Sequence, residues 1–108
     1  MLFRTRIKAL RRGPLLGKDA HGKPIYGPDI EQWFYGDLRP LSGEEIFNAG
    51  GTTVITRFRL FTPPMVTLDS TTKITAFGST YAVVSEPEPH NIGGQLHHYE
   101  VLVERRTG

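Results

Sequence analysis

The amino-acid sequence predicts an all-β domain, a small barrel or sandwich of about six strands with one short helix and one long loop. Three observations predict it. Apolar and polar residues alternate with a period of two in several separate runs, the spacing of strands that bury one face. Gly, Pro, Asp and Ser interrupt those runs at short intervals, as turns between strands require. Finally, 108 residues with 38% hydrophobic side chains supply one modest core and would starve a second. The chain therefore reads as a single domain, 1–108.

The first strand runs from Phe3 to Ala9, with Phe3, Thr5, Ile7 and Ala9 on one side and Arg4, Arg6 and Lys8 on the other. Arg11-Arg12-Gly13-Pro14 ends it. Residues 13–29 then hold four glycines and three prolines, a density that no helix or central strand tolerates. The segment is expected to be a long surface loop, functional or mobile. Its exposed apolar residues Leu15, Leu16, Ile25 and Tyr26 make it either a contact element or a linker.

An aromatic-rich strand follows, Ile30 to Leu38, with the only tryptophan at Trp33. Ser42-Gly43-Glu44-Glu45 has capping-box spacing, so a short helix is expected over 42–49, stopped by Gly50-Gly51. Residues 52–61 alternate again, with Val54, Thr56, Phe58 and Leu60 opposing Ile55, Arg57, Arg59 and Phe61. A weak segment, Val66 to Leu68, leads to two β-type runs around Gly78-Ser79, the pattern of a hairpin. Pro87 and Pro89 flank an expected irregular loop, and the last strand spans Leu96 to Arg105.

Charge is unevenly placed. Residues 1–18 carry Arg4, Arg6, Lys8, Arg11, Arg12 and Lys18 and no acid, whereas the remaining 90 residues carry seven basic and eleven acidic side chains. Such a stretch can be an arm for nucleic acid, a dock for an acidic partner or a second copy, or a solvated strand edge. Arg4, Arg6, Lys8, Arg11, Arg12, Leu15, Leu16, Ile25 and Tyr26 are the candidate interface residues.

Signals of catalysis are lacking. The absence of cysteine excludes a thiol nucleophile, a disulfide framework and a cysteine zinc site. His97 and His98 are adjacent and would point to opposite faces of a strand, and His21 and His90 lie at no ligand spacing to them. Glu44/Glu45 and Glu86/Glu88 fit a helix start and a solvated loop. Gly50-Gly51 and Gly93-Gly94 read as turns, without the lysine of a phosphate loop. No cofactor, metal or enzymatic activity is expected. No apolar run approaches the ~20 residues of a membrane span, and the charged N-terminus does not resemble a signal peptide, so folding in a cytoplasm is expected. Nucleic-acid binding by a small barrel is the main competitor, with Phe58 between Arg57 and Arg59 as its platform. The alternation, however, places Phe58 with Val54 and Leu60 on the core side.

The order of features is more specific than any one of them. A basic strand, the Asp19-x-x-Gly22 segment and an aromatic strand precede Pro40-Leu41-Ser42-Gly43-Glu44-Glu45. Thr56-x-Phe58-Arg59, Phe77-Gly78-x-x-Tyr81-x-Val83 and Tyr99-Glu100-Val101-Leu102-Val103 follow. From about Phe3 to Arg106 the chain resembles the phage head–tail joining family, the head-closure or head-to-tail stopper proteins of tailed bacteriophages. The resemblance implies a β-barrel with a short helix and a long mobile loop. It also implies a homo-oligomeric ring between portal-adaptor and tail proteins, located in the virion neck and close to the DNA channel. A longer, Gly/Pro-richer loop departs from the family pattern and leaves a neighbouring tail-completion role open.

Overall fold

The computed structural model describes residues 3–47 and 53–107. Among these residues nine strands follow one another: β1 (Thr5–Arg11), β2 (Leu15–Lys18), β3 (Pro24–Tyr26), β4 (Ile30–Phe47), β5 (Thr53–Thr62), β6 (Lys73–Ala76), β7 (Ser79–Val83), β8 (Glu88–Ile92) and β9 (Gln95–Thr107). Six of them form a closed antiparallel barrel in the order β5-β4-β1-β6-β7-β9, with β9 returning to β5 and β8 attached to β9 as an extra strand. The expected all-β barrel is present.

Closure follows from the alternation. Ile7 faces Phe34 across β1–β4, Ala9 faces Ile74 across β1–β6, and Leu60 faces Val101 across β5–β9. All of these side chains are buried, and together with Tyr81 and Val103 they draw the core from every barrel strand. Burying one such side chain fully contributes roughly 1.5–3 kcal/mol, which is what a modest barrel interior has to offer. Val66 and Leu68, expected in a weak strand, sit in an irregular connection and close the core from one end. Gln32 clamps that connection: its Nε2 donates to the Met65 carbonyl and its Oε1 accepts from the Thr67 N–H.

β4 turns from one neighbour to the other at Gly36. Thr5 pairs with Gly36, and the next residue, Asp37, pairs with Phe61. A Cβ at Gly36 would lie 2.7 Å from the Phe61 carbonyl oxygen and 3.2 Å from Ile7 Cδ1, so only glycine lets the three strands approach this closely.

Three expectations require correction. The helix over 42–49 is not formed in its described part, because β4 continues to Phe47 and pairs with β5 from Glu44↔Thr56 to Phe47↔Thr53. A lone capped helix of two turns is marginal, and the β-branched run of β5 offers this segment a ladder instead. Residues 48 and 49 and the Gly50-Gly51 stop lie outside the described residues. Second, 13–29 is a hairpin of β2 and β3 rather than an unstructured loop. Its turn is built by Asp19, whose Oδ1 accepts from the His21 and Lys23 backbone N–H groups. Prolines fit here because both strands are edges, which need not donate on their free side. Third, 88–92 is strand β8, with Pro89 on its free edge, joined to β9 through Gly93-Gly94. Both glycines have positive φ (61° and 79°), the conformation a two-residue hairpin turn demands. The β6–β7 hairpin forms as expected, with Ala76 opposite Ser79 around Phe77-Gly78.

The radius of gyration is 16.1 Å, against about 13 Å for a compact domain of this length. Part of the excess is the β2–β3 hairpin. Those two strands contact each other and no other strand.

Candidate functional site

The outer face of β1 carries the predicted basic residues, and β4 supplies what sequence reading missed. Register sets Arg6 against Tyr35 and Lys8 against Trp33. Trp33 and Tyr35 are 52% and 54% exposed, unusual for large aromatics on a barrel wall. The Arg6 guanidinium lies 4.7 Å from the centre of the Trp33 ring and the Lys8 ammonium 6.0 Å from it, both within cation–π range. Trp33 Nε1 donates to Glu31 at 2.6 Å, which pins the indole in the plane of the face. Among the described residues neither Arg6 nor Lys8 forms an ion pair. The clue in the sequence was the Trp-x-Tyr spacing, which puts both rings on one side of a strand.

The other candidates divide. Arg4 is exposed ahead of β1. Arg12 stacks over Tyr26 at 4.0 Å, tying the barrel to the base of the β2–β3 hairpin. Leu15, Leu16, Ile25 and Tyr26 are all on that hairpin and are 59%, 67%, 45% and 37% exposed. Arg11 does not join the basic face. It is half-buried near Asp69. The Thr71 hydroxyl, first of all, holds the Asp69 carboxyl below the usual carboxylate range, with help from the Thr71 N–H, the Thr72 hydroxyl and the charge of Arg11. Burial opposes them. Asp69 is thus kept ionised at the rim of a shallow cleft lined also by Leu68, Val84, Glu86 and Pro87.

On β5 and β9 three arginines are ion-paired. Arg57 lies 3.8 Å from Glu104, Arg106 lies 3.1 Å from Glu104, and Arg59 lies 3.4 Å from Glu100. Phe58 packs on the core, edge-on to Tyr81 at 5.2 Å. The Arg-Phe-Arg segment is therefore not a stacking platform. Next to it the histidines gather. His90 stacks on His98 at 4.7 Å with the rings 3° from parallel, and His97 Nδ1 lies 2.9 Å from His98 Nδ1. Burial above all pushes the His98 pKa down, with the nearby His90 and His97 adding to it and Glu100 opposing.

Among the described residues no helix is long and apolar enough to cross a membrane. Neither models of known protein families nor curated protein sequences match this chain.

Proposed function

We propose that this chain is a structural neck protein of a tailed bacteriophage, a head-to-tail stopper. In this reading its copies form a ring between portal-adaptor and tail, seal the DNA-filled head and receive the tail. It works by binding and not by catalysis, in the virion, after synthesis in the host cytoplasm. Beyond the order of sequence motifs, one observation carries the reading. The β2–β3 hairpin stands clear of the barrel with Leu15, Leu16, Ile25 and Tyr26 exposed. A two-stranded hairpin is marginal in water on its own, and one that displays apolar side chains is suited to docking against another molecule. Ring formation has a complementary pair of surfaces available, the Arg6/Lys8/Trp33/Tyr35 face and the Asp69/Glu86 cleft. A heterologous contact between unlike surfaces is what builds rings.

Affinity purification of a tagged copy from infected cells tests this. Portal, adaptor and tail proteins should be recovered, and Leu16→Glu with Ile25→Glu should abolish their recovery. Tail proteins alone would favour a tail-completion role. Recovery of no virion protein would overturn the reading.

A second reading, a nucleic-acid-binding barrel, is favoured by Trp33 lying open between Arg6 and Lys8. Exposed aromatics beside cations stack on single-stranded bases. Trp33 is the only tryptophan, so its fluorescence reports on this face alone. Quenching by a thymidine oligonucleotide that weakens steeply with salt would support nucleic-acid binding. Unquenched fluorescence would reject it.

A further inference from the structure

The β8–β9 hairpin brings together three side chains that lie in an expected loop and a strand in the sequence. Glu88 and His90 are two apart on β8 and so share a face. Glu100 is directly opposite Glu88 on β9. One carboxylate oxygen from each glutamate and one imidazole nitrogen of His90 lie within 4.8 Å of one another. We propose that Glu88, His90 and Glu100 bind a divalent transition-metal ion of the zinc type, which clips the edge strand β8 onto the barrel.

The chemistry of the donor set fits. One imidazole with two carboxylates suits borderline ions such as Zn²⁺ and leaves room for water. Ligand atoms about 2.0–2.2 Å from an ion, at tetrahedral or octahedral angles, are about 3.0–3.5 Å from each other. Nε2 of His90 and Oε2 of Glu100 are 3.0 Å apart, close to that spacing before any ion enters. That nitrogen is shielded from solvent and, despite the short distance, makes no hydrogen bond. A nitrogen and a carboxylate oxygen so placed, and not joined through a proton in good geometry, are stabilised by a cation between them.

The surroundings support the first three ligands. Arg59 Nε approaches Oε1 of Glu100 at 3.4 Å, holding the carboxylate by one oxygen and leaving the other for the ion. Outer partners of this kind orient metal ligands. The arginine also reduces the negative charge of the cluster, so two glutamates and one arginine leave a net charge of −1 for a divalent ion. His98 stacks on the His90 ring and fixes its plane. The site is independent of the neck reading, since it uses neither the basic face nor the β2–β3 hairpin.

The test is titration of the purified full chain with Zn²⁺ alone, followed by calorimetry and by the histidine side-chain nitrogen signals in NMR. One equivalent should bind, the His90 Nε2 signal should shift in the wild-type protein, and the melting temperature should rise. Glu88→Gln, His90→Ala and Glu100→Gln should each weaken binding by at least about tenfold, the effect that loss of even an outer partner has at known sites. His21→Ala should change nothing. Absence of binding would overturn the proposal. So would binding that survives Glu88→Gln and Glu100→Gln but is lost in His97→Ala, because the ion would then sit on the histidines alone. The wild-type NMR shift stands even if a variant misfolds.

Discussion

Two faces of one barrel carry nearly the same residues and end up chemically unlike. Arg4-Thr5-Arg6 lies at the start of β1, and Arg57-Phe58-Arg59 lies in β5. On β5 the neighbouring strand β9 presents Glu100 and Glu104, so Arg57 and Arg59 are neutralised where they stand. On β1 the register offers Tyr35 and Trp33 from β4 and Thr75 from β6. There the cations remain available, spread over aromatic rings. An Arg-x-Arg strand thus becomes a binding surface or a structural ladder according to its neighbours, and those are set by topology.

The two faces depend most on Gly36, where β4 passes from pairing with β1 to pairing with β5. Gly36→Ala drives a Cβ against the Phe61 carbonyl and should destabilise the fold by about 2–3 kcal/mol in urea unfolding, as overpacking does. A neutral result would mean that β4 is free to move away from β5 here.

Glu104→Gln comes next. It removes the anion shared by Arg57 and Arg106 at a position only 9% exposed and should cost about 1–2 kcal/mol. Retention on heparin should rise as the β5/β9 face turns basic. Unchanged retention would show that these arginines are masked by more than Glu104.

A smaller effect is expected from pH. His98 has its pKa lowered below the ordinary 6.5 chiefly by burial. Below pH 6.5 the unfolded chain therefore takes up a proton that the folded chain resists. Stability should fall as pH drops from that value toward the folded pKa, then level off. Urea midpoints across this range would show the slope, and His98→Phe should flatten it.

The smallest change in stability is expected at the basic face. Arg6→Gln with Lys8→Gln should alter stability by less than about 0.5 kcal/mol, while heparin retention drops clearly. A large loss of stability would make these residues structural, and the contrast between the faces would fail.

Much of the barrel was legible in the residues. Period-two alternation located β1, β5 and β9, set Ile7 and Ala9 together on one side of β1, and placed Phe58 and Leu60 on the core side. Gly93-Gly94 read correctly as a turn. The β2–β3 and β8 strands were hidden by their prolines, which argue against central strands but not against edges, and pattern alone does not separate the two. The capping-box reading of Ser42-Gly43-Glu44-Glu45 failed because a local signal worth about 1 kcal/mol competed with a full strand ladder to β5. Of the candidate site, the basic and apolar residues were named in advance, but Trp33 and Tyr35 were not joined to them.

Residue type and spacing within one segment settle the class of fold, the period-two alternation of β1, β5 and β9, the lack of thiol chemistry and the concentration of positive charge near the N-terminus. That Lys8 faces Trp33, that Arg59 meets Glu100, and that Glu88, His90 and Glu100 converge is visible only in the folded chain. The first two are pairings between strands far apart in the chain, set by the topology of the barrel, and the third follows from the register of the β8–β9 hairpin, which pairs Glu88 with Glu100.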